Sequence, residues 1–250
     1  MAPDRPPDAW FWAHDIRPDQ LDSVMMPGMR LVRLSRYGTG SARRFAALLF
    51  KEPGPLQTYR LGIEAAALEV QMRETGASPV AVTVDAVTQS TPRPRLSVIL
   101  DNRPGPLPRM YIGLEEAEVR ALLDGCHRVV DLAPYSIAGI IKYVVILEKR
   151  REQAWLLTAT TLRELDAGLG RLDASPVLLR EHAGSAGRTY VAVAERSPAI
   201  IRSAWHAGLD ADSVAKHLAR KNFCPIDLAA TQDEHGVRFT VVMRRHTKTR

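Results

Sequence analysis

The feature of this sequence that most constrains its fold is an internal repeat of roughly 48 residues. A short apolar segment recurs five times, and its landmark residues follow one another at intervals of 47 to 50 residues. A second apolar segment follows each copy after a polar turn, with its own landmarks at intervals of 47 to 51 residues. Two independent landmarks with one period indicate a tandem array. The landmarks are Val32, Val80, Val130, Val177 and Ile226 in the first segment, and Phe45, Leu96, Tyr143, Tyr190 and Phe239 in the second.

Each copy predicts the same order of secondary structure. An opening segment with an aromatic residue precedes a stretch with helical spacing, such as Val119 with Leu122 or Val214 with Leu218. The two apolar segments follow, joined by a polar turn that often contains glycine, which is typical of a hairpin. The unit is therefore predicted to run strand–helix–strand–hairpin–strand. The opening aromatic residues are Trp12, Tyr59, Tyr111, Trp155 and Trp205.

The predicted fold class is α+β, with mostly antiparallel strands curved into a barrel or half-barrel and the helices outside. One unit cannot cover both faces of its strands, so neighbouring units must stack on it. We expect a single repeat domain over residues 10–245, with tails at 1–9 and 246–250. The predicted repeats span 10–57, 58–108, 109–153, 154–203 and 204–245.

Composition limits the classes of partner. The net charge of +6 is modest and scattered, and no basic helix face or aromatic-lined basic groove is evident, so we expect no nucleic-acid partner. No apolar run approaches the roughly 18–20 residues that span a bilayer, and the polar opening MAPDRPPDAW lacks the apolar segment of a signal peptide. We therefore expect a cytoplasmic protein with no membrane partner. Abundant arginine and alanine suit a GC-rich bacterial genome.

The motifs of cofactor and metal sites are missing from the sequence. Glycine-rich nucleotide loops, the zinc-protease motif and the α/β-hydrolase motif do not occur, so no cofactor is expected. Cys126 and Cys224 lack metal-type spacing, so no metal site is expected and both thiols should be reduced.

A repeated cation is the strongest candidate for ligand binding. It stands immediately before the landmark of the last strand in four units, on the opposite face of that strand. If the units surround an axis, these cations converge in an arc that attracts carboxylates or phosphates, with tyrosines nearby. Alternatively, they are solvated charges at strand ends or partners of acids such as Asp131 and Asp227. The candidate ligand-binding residues are Arg44, Arg95, Lys142, Arg238, Tyr37 and Tyr135.

Four unrepeated residues are the candidates for catalysis, namely His14, His127, His206 and Cys126. The adjacent Cys126 and His127 suggest an activated thiolate. His14 and His206 lie in the first and last units, which become neighbours if the chain closes on itself. The alternative for each is an ordinary packed or exposed residue.

One further match is to a catalytic motif. Ser213-Val214-Ala215-Lys216 fits the Ser-x-x-Lys of serine β-lactamases. Because Val214 and Leu218 form the predicted core face of the fifth helix, we interpret the match as part of an ordinary helix.

The first repeat also resembles a known family. Trp12 with Ile16, Gly28, Val32 with Tyr37, and the run Arg44-Phe45-Ala46-Ala47 carry the pattern of the bacterial tandem repeat domain, which is similar to the N-terminal domain of fungal polyglycine hydrolases. Later copies depart from it, with Leu96 in place of an aromatic residue and Thr189 in place of a basic one. The resemblance implies a barrel-like α/β repeat domain and assigns it no chemistry. In those hydrolases the reaction belongs to a separate β-lactamase-like domain, which this sequence does not show.

Three hypotheses of function follow. The first is a recognition module that binds a peptide or small anionic molecule on the inner face of the array. The second is a cofactor-independent enzyme, of isomerase or hydrolase type, that acts on a peptide or natural product. The third is a scaffold for another protein. The sequence leaves the choice among them and the oligomeric state open.

Overall fold

In the computed structural model, the residues that the structure describes are 7, 9–25, 27–54, 57–88, 91–103, 108–123, 127–149, 153–184, 187–196, 201–220 and 223–246. They form five successive units, each with three strands and one α-helix. We number these units 1 to 5 and call their strands first, second and third in chain order.

The elements of each type are as follows. The first strands are β1 (Trp10–Ile16), β4 (Thr58–Glu64), β7 (Arg109–Leu114), β10 (Ala154–Ala159) and β13 (Ile201–Leu209). The helices are α1 (Leu21–Val24), α2 (Ala65–Thr75), α3 (Glu116–Leu123), α4 (Leu162–Leu172) and α5 (Ala211–Leu218). The second strands are β2 (Met29–Tyr37), β5 (Ser78–Thr88), β8 (His127–Ile137), β11 (Ser175–Gly184) and β14 (Phe223–Asp233). The third strands are β3 (Arg44–Lys51), β6 (Thr91–Asp101), β9 (Ile140–Lys149), β12 (Gly187–Glu195) and β15 (Gly236–His246).

Each unit folds into its own three-stranded antiparallel sheet. The third strand is central and pairs with the first strand on one side and the second on the other, as in the order β1-β3-β2 of unit 1. The predicted order of elements, the antiparallel pairing and the five-fold repetition are therefore confirmed.

The landmark of every second strand is a β-bulge. In unit 1, Leu31 pairs with Leu49 and Arg33 pairs with Leu48, so Val32 is left without a partner on β3. A bulge increases the local twist and bends its strand. The repeated aliphatic residue therefore marks the position of this bulge in the second strand. The same displacement falls at Val80, Val130, Val177 and Ile226.

A second bulge interrupts the first strand of four units. The residue involved has positive φ, from 56° at Asp15 to 86° at Gly113, a conformation that glycine adopts without steric cost. Gly62 and Gly208 occupy the corresponding positions in units 2 and 5. In unit 4, β10 pairs with β12 without any shift, and no such residue is needed.

The five second strands lie side by side in a closed ring. β2, β5, β8, β11 and β14 contact one another in order, and β14 returns to β2. At this closing joint, Ala230 N donates a hydrogen bond to Ser35 Oγ over 2.8 Å. Hydrogen-bonded strand pairs in the described residues stay within units, so the sheets do not merge into the barrel or half-barrel that we expected. The strands instead form five separate sheets around a common axis.

The hydrophobic core lies between neighbouring sheets, which pack face to face. At the closing joint, Leu48 of unit 1 shares a buried cluster with Val214 and Phe239 of unit 5. Away from the axis, α3 packs on its own sheet and against β10, the first strand of the next unit. None of the helices that the structure describes is long and apolar enough to span a membrane.

Candidate binding site at the axis of the ring

The centre of the ring contains a buried network of charges from different units. Asp227 of unit 5 accepts hydrogen bonds from Arg33 Nε of unit 1 over 2.8 Å and from Arg180 Nη1 of unit 4 over 2.6 Å. It also accepts one from the backbone N–H of Leu179 over 2.8 Å. Asp227 is 1% exposed, so these three donors replace water around its carboxylate.

Arg180 extends the network to unit 3. Its Nη2 donates to Asp131 Oδ1 over 2.6 Å, and Asp131 Oδ2 accepts the backbone N–H of Val82 of unit 2 over 2.8 Å. Burial disfavours the charged form of Arg180, but Asp227 and Asp131 outweigh it and raise the pKa of this guanidinium above its ordinary value. Two arginines and two aspartates thus balance one another and tie the five units together.

A cavity of about 480 Å³ opens above this network, and all five second strands line it. Arg180 belongs to both the network and the cavity wall, so the network forms the cavity floor. The volume lies within the roughly 300–1,000 Å³ range of small-molecule sites. The other charged or titratable side chains of its wall are Arg36, Tyr37, Glu181, His182 and Asp233.

Positive charge is in excess at the joint between units 1 and 2, which we call the positive wall (Arg36, Arg43 and Asp85). Arg36 Nε lies 4.0 Å from Asp85 Oδ1, and neither buried atom has a hydrogen-bond partner among the described residues. Arg43 Nη1 lies 3.6 Å from the other oxygen of Asp85, to which Ser97 Oγ donates over 2.6 Å. Burial lowers the pKa of Arg36, and although Asp85 opposes this, Arg43 adds to it. Two guanidinium groups therefore share one carboxylate.

At the joint between units 4 and 5, which we call the negative wall, the charged side chains that line the cavity are the acids Glu181 and Asp233. Arg188 lies 2.9 Å from Glu181 Oε1 and 2.5 Å from Asp233 Oδ2, and Arg238 also acts on both carboxylates. The Glu181 side chain is 2% exposed, and its Oε2 has no hydrogen-bond partner in the described part of the chain. Burial raises the pKa of Glu181; Arg188 and Arg238 oppose the shift, whereas Asp233 increases it.

A serine and a histidine meet at the joint between units 3 and 4. Ser136 Oγ lies 2.6 Å from His182 Nε2, and His182 lines the cavity. Burial lowers the pKa of His182, which keeps the imidazole neutral at pH 7. A neutral imidazole nitrogen in hydrogen-bond contact with a hydroxyl group can accept its proton.

The four repeated cations lie elsewhere, and none of them lines the axial cavity. Three pair with an acid near the end of the first strand of their own unit. Hydrogen bonds with Ser213 are the main cause that lowers the pKa of Asp210, which follows the first strand of unit 5, and Arg238 adds a smaller effect. In unit 4, Thr189 and Thr160 replace the cation and the acid together. Three of the four cations therefore serve ion pairs within their own units, whereas Arg238 also acts on Glu181 and Asp233. The pairs are Arg44 Nε with Asp15 at 3.3 Å, Arg95 Nη2 with Glu64 at 3.1 Å, and Lys142 Nζ with Glu115 at 2.6 Å.

The two candidate tyrosines have different surroundings. Tyr37 lines the cavity, and its hydroxyl accepts the backbone N–H of Asp15 over 2.7 Å. Tyr135 is 4% exposed and packs in the apolar cluster between units 2 and 3. Burial raises the pKa of both hydroxyl groups.

The three candidate histidines occupy separate environments. His14 is exposed and stacks on Trp12, with ring centroids 5.1 Å apart. His127 Nδ1 lies 3.2 Å from the carbonyl oxygen of Leu122. His206 packs against His217, with ring centroids 3.7 Å apart and ring planes tilted by 31°.

The cysteine candidates and the Ser-x-x-Lys match complete the set. Cys126, the predicted partner of His127, lies outside the described residues. Cys224 is buried, and burial raises the pKa of its thiol to about 12. In α5, Asp210 caps the helix by accepting the backbone N–H of Ser213, while Val214 is fully buried as predicted.

Arg36, Arg180, Glu181 and His182 were not among the predicted site residues. Their signal in the sequence was that each belongs to one copy of the second strand alone. Comparisons with known proteins add no candidate: no family profile matches the chain, and no curated protein matches it. The resemblance to the bacterial tandem repeat domain stays a prediction. Among the described residues, no group of three or more His, Cys, Asp or Glu side chains is placed to hold a metal ion.

Proposed function

We propose that this chain is a binding module that holds a small anionic molecule, or the anionic end of a peptide, in the axial cavity. The observation that carries this proposal is Arg36, whose buried Nε lacks a hydrogen-bond partner among the described residues while its guanidinium shares Asp85 with Arg43. A carboxylate or phosphate beside Arg36 would supply the missing acceptor and charge, with the bidentate geometry that arginine favours.

The inner face of the array therefore keeps the role that the sequence suggested, but with other residues. Three of the repeated cations already have acidic partners within their own units, and exposed pairs of this kind contribute little. Arg36 and Arg180 are the cations on the wall of the cavity.

The test is a thermal-shift screen of small carboxylates, phosphates and short peptides, followed by titration calorimetry of each compound that stabilises the wild type. We expect R36Q to weaken binding at least about tenfold, because a charge-assisted hydrogen bond is lost. R95Q is the matched control, since Arg95 pairs with Glu64 at an exposed site. Equal binding to wild type and R36Q, or loss of binding in R95Q alone, would contradict the proposal.

A cofactor-independent hydrolase is the second candidate, supported by the 2.6 Å contact between Ser136 Oγ and His182 Nε2. In such an enzyme, His182 would accept the hydroxyl proton as Ser136 attacks a carbonyl carbon. A fluorophosphonate probe should then label Ser136 in the wild type and fail to label it in H182A. If the wild type binds anions but the probe does not label Ser136, the hydrolase is rejected and the binding module remains.

A further inference from the structure

The negative wall is not explained by an anionic ligand. Glu181 is buried, its Oε2 has no hydrogen-bond partner among the described residues, and its guanidinium partner is shared with Asp233. A buried carboxylate oxygen without a donor costs free energy, and such groups in folded proteins are usually satisfied. An anion in the cavity would add repulsion to this cost, because Glu181 lines the same space.

The two walls present opposite charges to the cavity, with Arg36 on one side and Glu181 and Asp233 on the other. Arg36 on one side lacks an acceptor and Glu181 on the other lacks a donor, in each case at a buried atom. The joint between units 1 and 2 and the joint between units 4 and 5 lie on nearly opposite sides of a five-membered ring. The pKa shifts agree, since burial lowers the pKa of Arg36 and raises that of Glu181, so each charged form lacks full compensation.

We infer that the axial cavity binds a small zwitterion, with its anionic group against Arg36 and its ammonium group against Glu181. This inference rests on the proposed function and identifies the class of its ligand. An ammonium group has three donors and would lie against Glu181, which lines the cavity, while Arg188 stays at Oε1. Because the walls face each other across the cavity, the two charges must be held apart, as in an ω-amino acid or a short free peptide. An α-amino acid carries its charges side by side and does not meet this requirement.

The test uses calorimetric titration of the full chain with matched probes. The first series is the ω-amino acids from 3-aminopropanoate to 8-aminooctanoate, and the second is diglycine to tetraglycine. Hexanoate and hexylamine each carry one of the two charges of 6-aminohexanoate. At least one zwitterion of either series should bind about tenfold or more tightly than hexanoate and hexylamine, because it makes a second charge-assisted contact.

Variants then assign the two charges to the two walls. E181Q should reduce the affinity for the best zwitterion to that of hexanoate, whereas R36Q should weaken both. Glu64 is exposed and lies outside the cavity, so E64Q is the matched control and should bind like the wild type. If E181Q does not fold, the ratio of zwitterion to hexanoate affinity in the wild type still decides the matter.

The outcomes separate the two claims. If hexanoate binds as tightly as every zwitterion and R36Q weakens it, the zwitterion inference is overturned and the proposed function stands. If no probe shows binding that depends on Arg36, both are overturned. Preference for the ω-amino acids or for the glycine peptides supports the inference and identifies which source of the zwitterion fits the cavity.

Discussion

Replacement of Asp227 by asparagine tests whether the charge network closes the ring. The change keeps the shape of the side chain but removes the charge that Arg33 and Arg180 contact at 2.8 and 2.6 Å. The amide oxygen can still accept the backbone N–H of Leu179, so the loss falls on the two arginines. Breaking a buried ion pair costs about 3–5 kcal/mol, because the remaining charge stays buried without compensation. For a chain of this length, that cost corresponds to a fall in Tm of about 6–20 °C.

The assay is urea unfolding followed by circular dichroism and tryptophan fluorescence. Asp15→Asn is the matched control, because it removes the same type of charge from an arginine pair whose aspartate is 73% exposed. This control should cost less than about 1 kcal/mol. The double variant D227N/R33Q should cost less than the sum of its single changes, since Arg33 no longer remains as an unpaired buried charge. A cost below about 1 kcal/mol for D227N would refute the closed, water-excluding axis.

Three further predictions concern single elements. Burial and His217 lower the pKa of His206, and burial also lowers that of His217, so the folded chain resists protonation that the unfolded chain accepts near pH 6.5. The stability that comes from keeping these histidines neutral should therefore be fully present above pH 6.5, and the free energy of unfolding should fall as the pH drops below it. In urea titrations at pH 8 and 5.5, H217N should show a smaller fall than the wild type. Gly208→Ala should destabilise by about 1–2 kcal/mol, because its φ is +71°. Gly170→Ala, inside α4 with open space around it, should instead stabilise the protein by about 0.5–1 kcal/mol. If both glycine variants shift the Tm in the same direction in thermal melts, the backbone explanation is contradicted. Cys224 should resist iodoacetamide at pH 8 until urea unfolds the chain, and its early modification in peptide mass maps would show that the thiol is accessible.

The repeated structure could be predicted because the same local forces act on every copy. Val32 and its equivalents are all bulge residues, and Phe45 is fully buried in the same position of its sheet as Leu96. Such positions recur along the chain because each unit must form the same sheet and present the same apolar faces to its neighbours. Comparison of the copies therefore located the second and third strands.

The axial site could not be predicted in the same way, because it depends on which units face each other. Arg33 and Asp227 are separated by 194 residues, and their contact requires that the ring close. Within a second strand, Glu181 and His182 are adjacent in sequence but serve different joints, one toward unit 5 and the other toward unit 3. Periodicity gives the spacing of the strands and contains no information on these pairings.

The axis also explains why a charge shared by most copies was a poor guide to the site. Identical charges from five units would converge at short distance in a region of low dielectric constant, where their repulsion is strong. The residue that follows the bulge in each second strand accordingly does not carry the same charge in all five units: it is Arg33, Ala81, Asp131, Leu178 and Asp227. A cation can recur in four units only where each copy has its own acid, as Arg95 has Glu64. In this closed ring, a charge repeated in most copies therefore pairs within its unit, whereas Arg36 and Glu181, which line the axial cavity, each occur in one copy only.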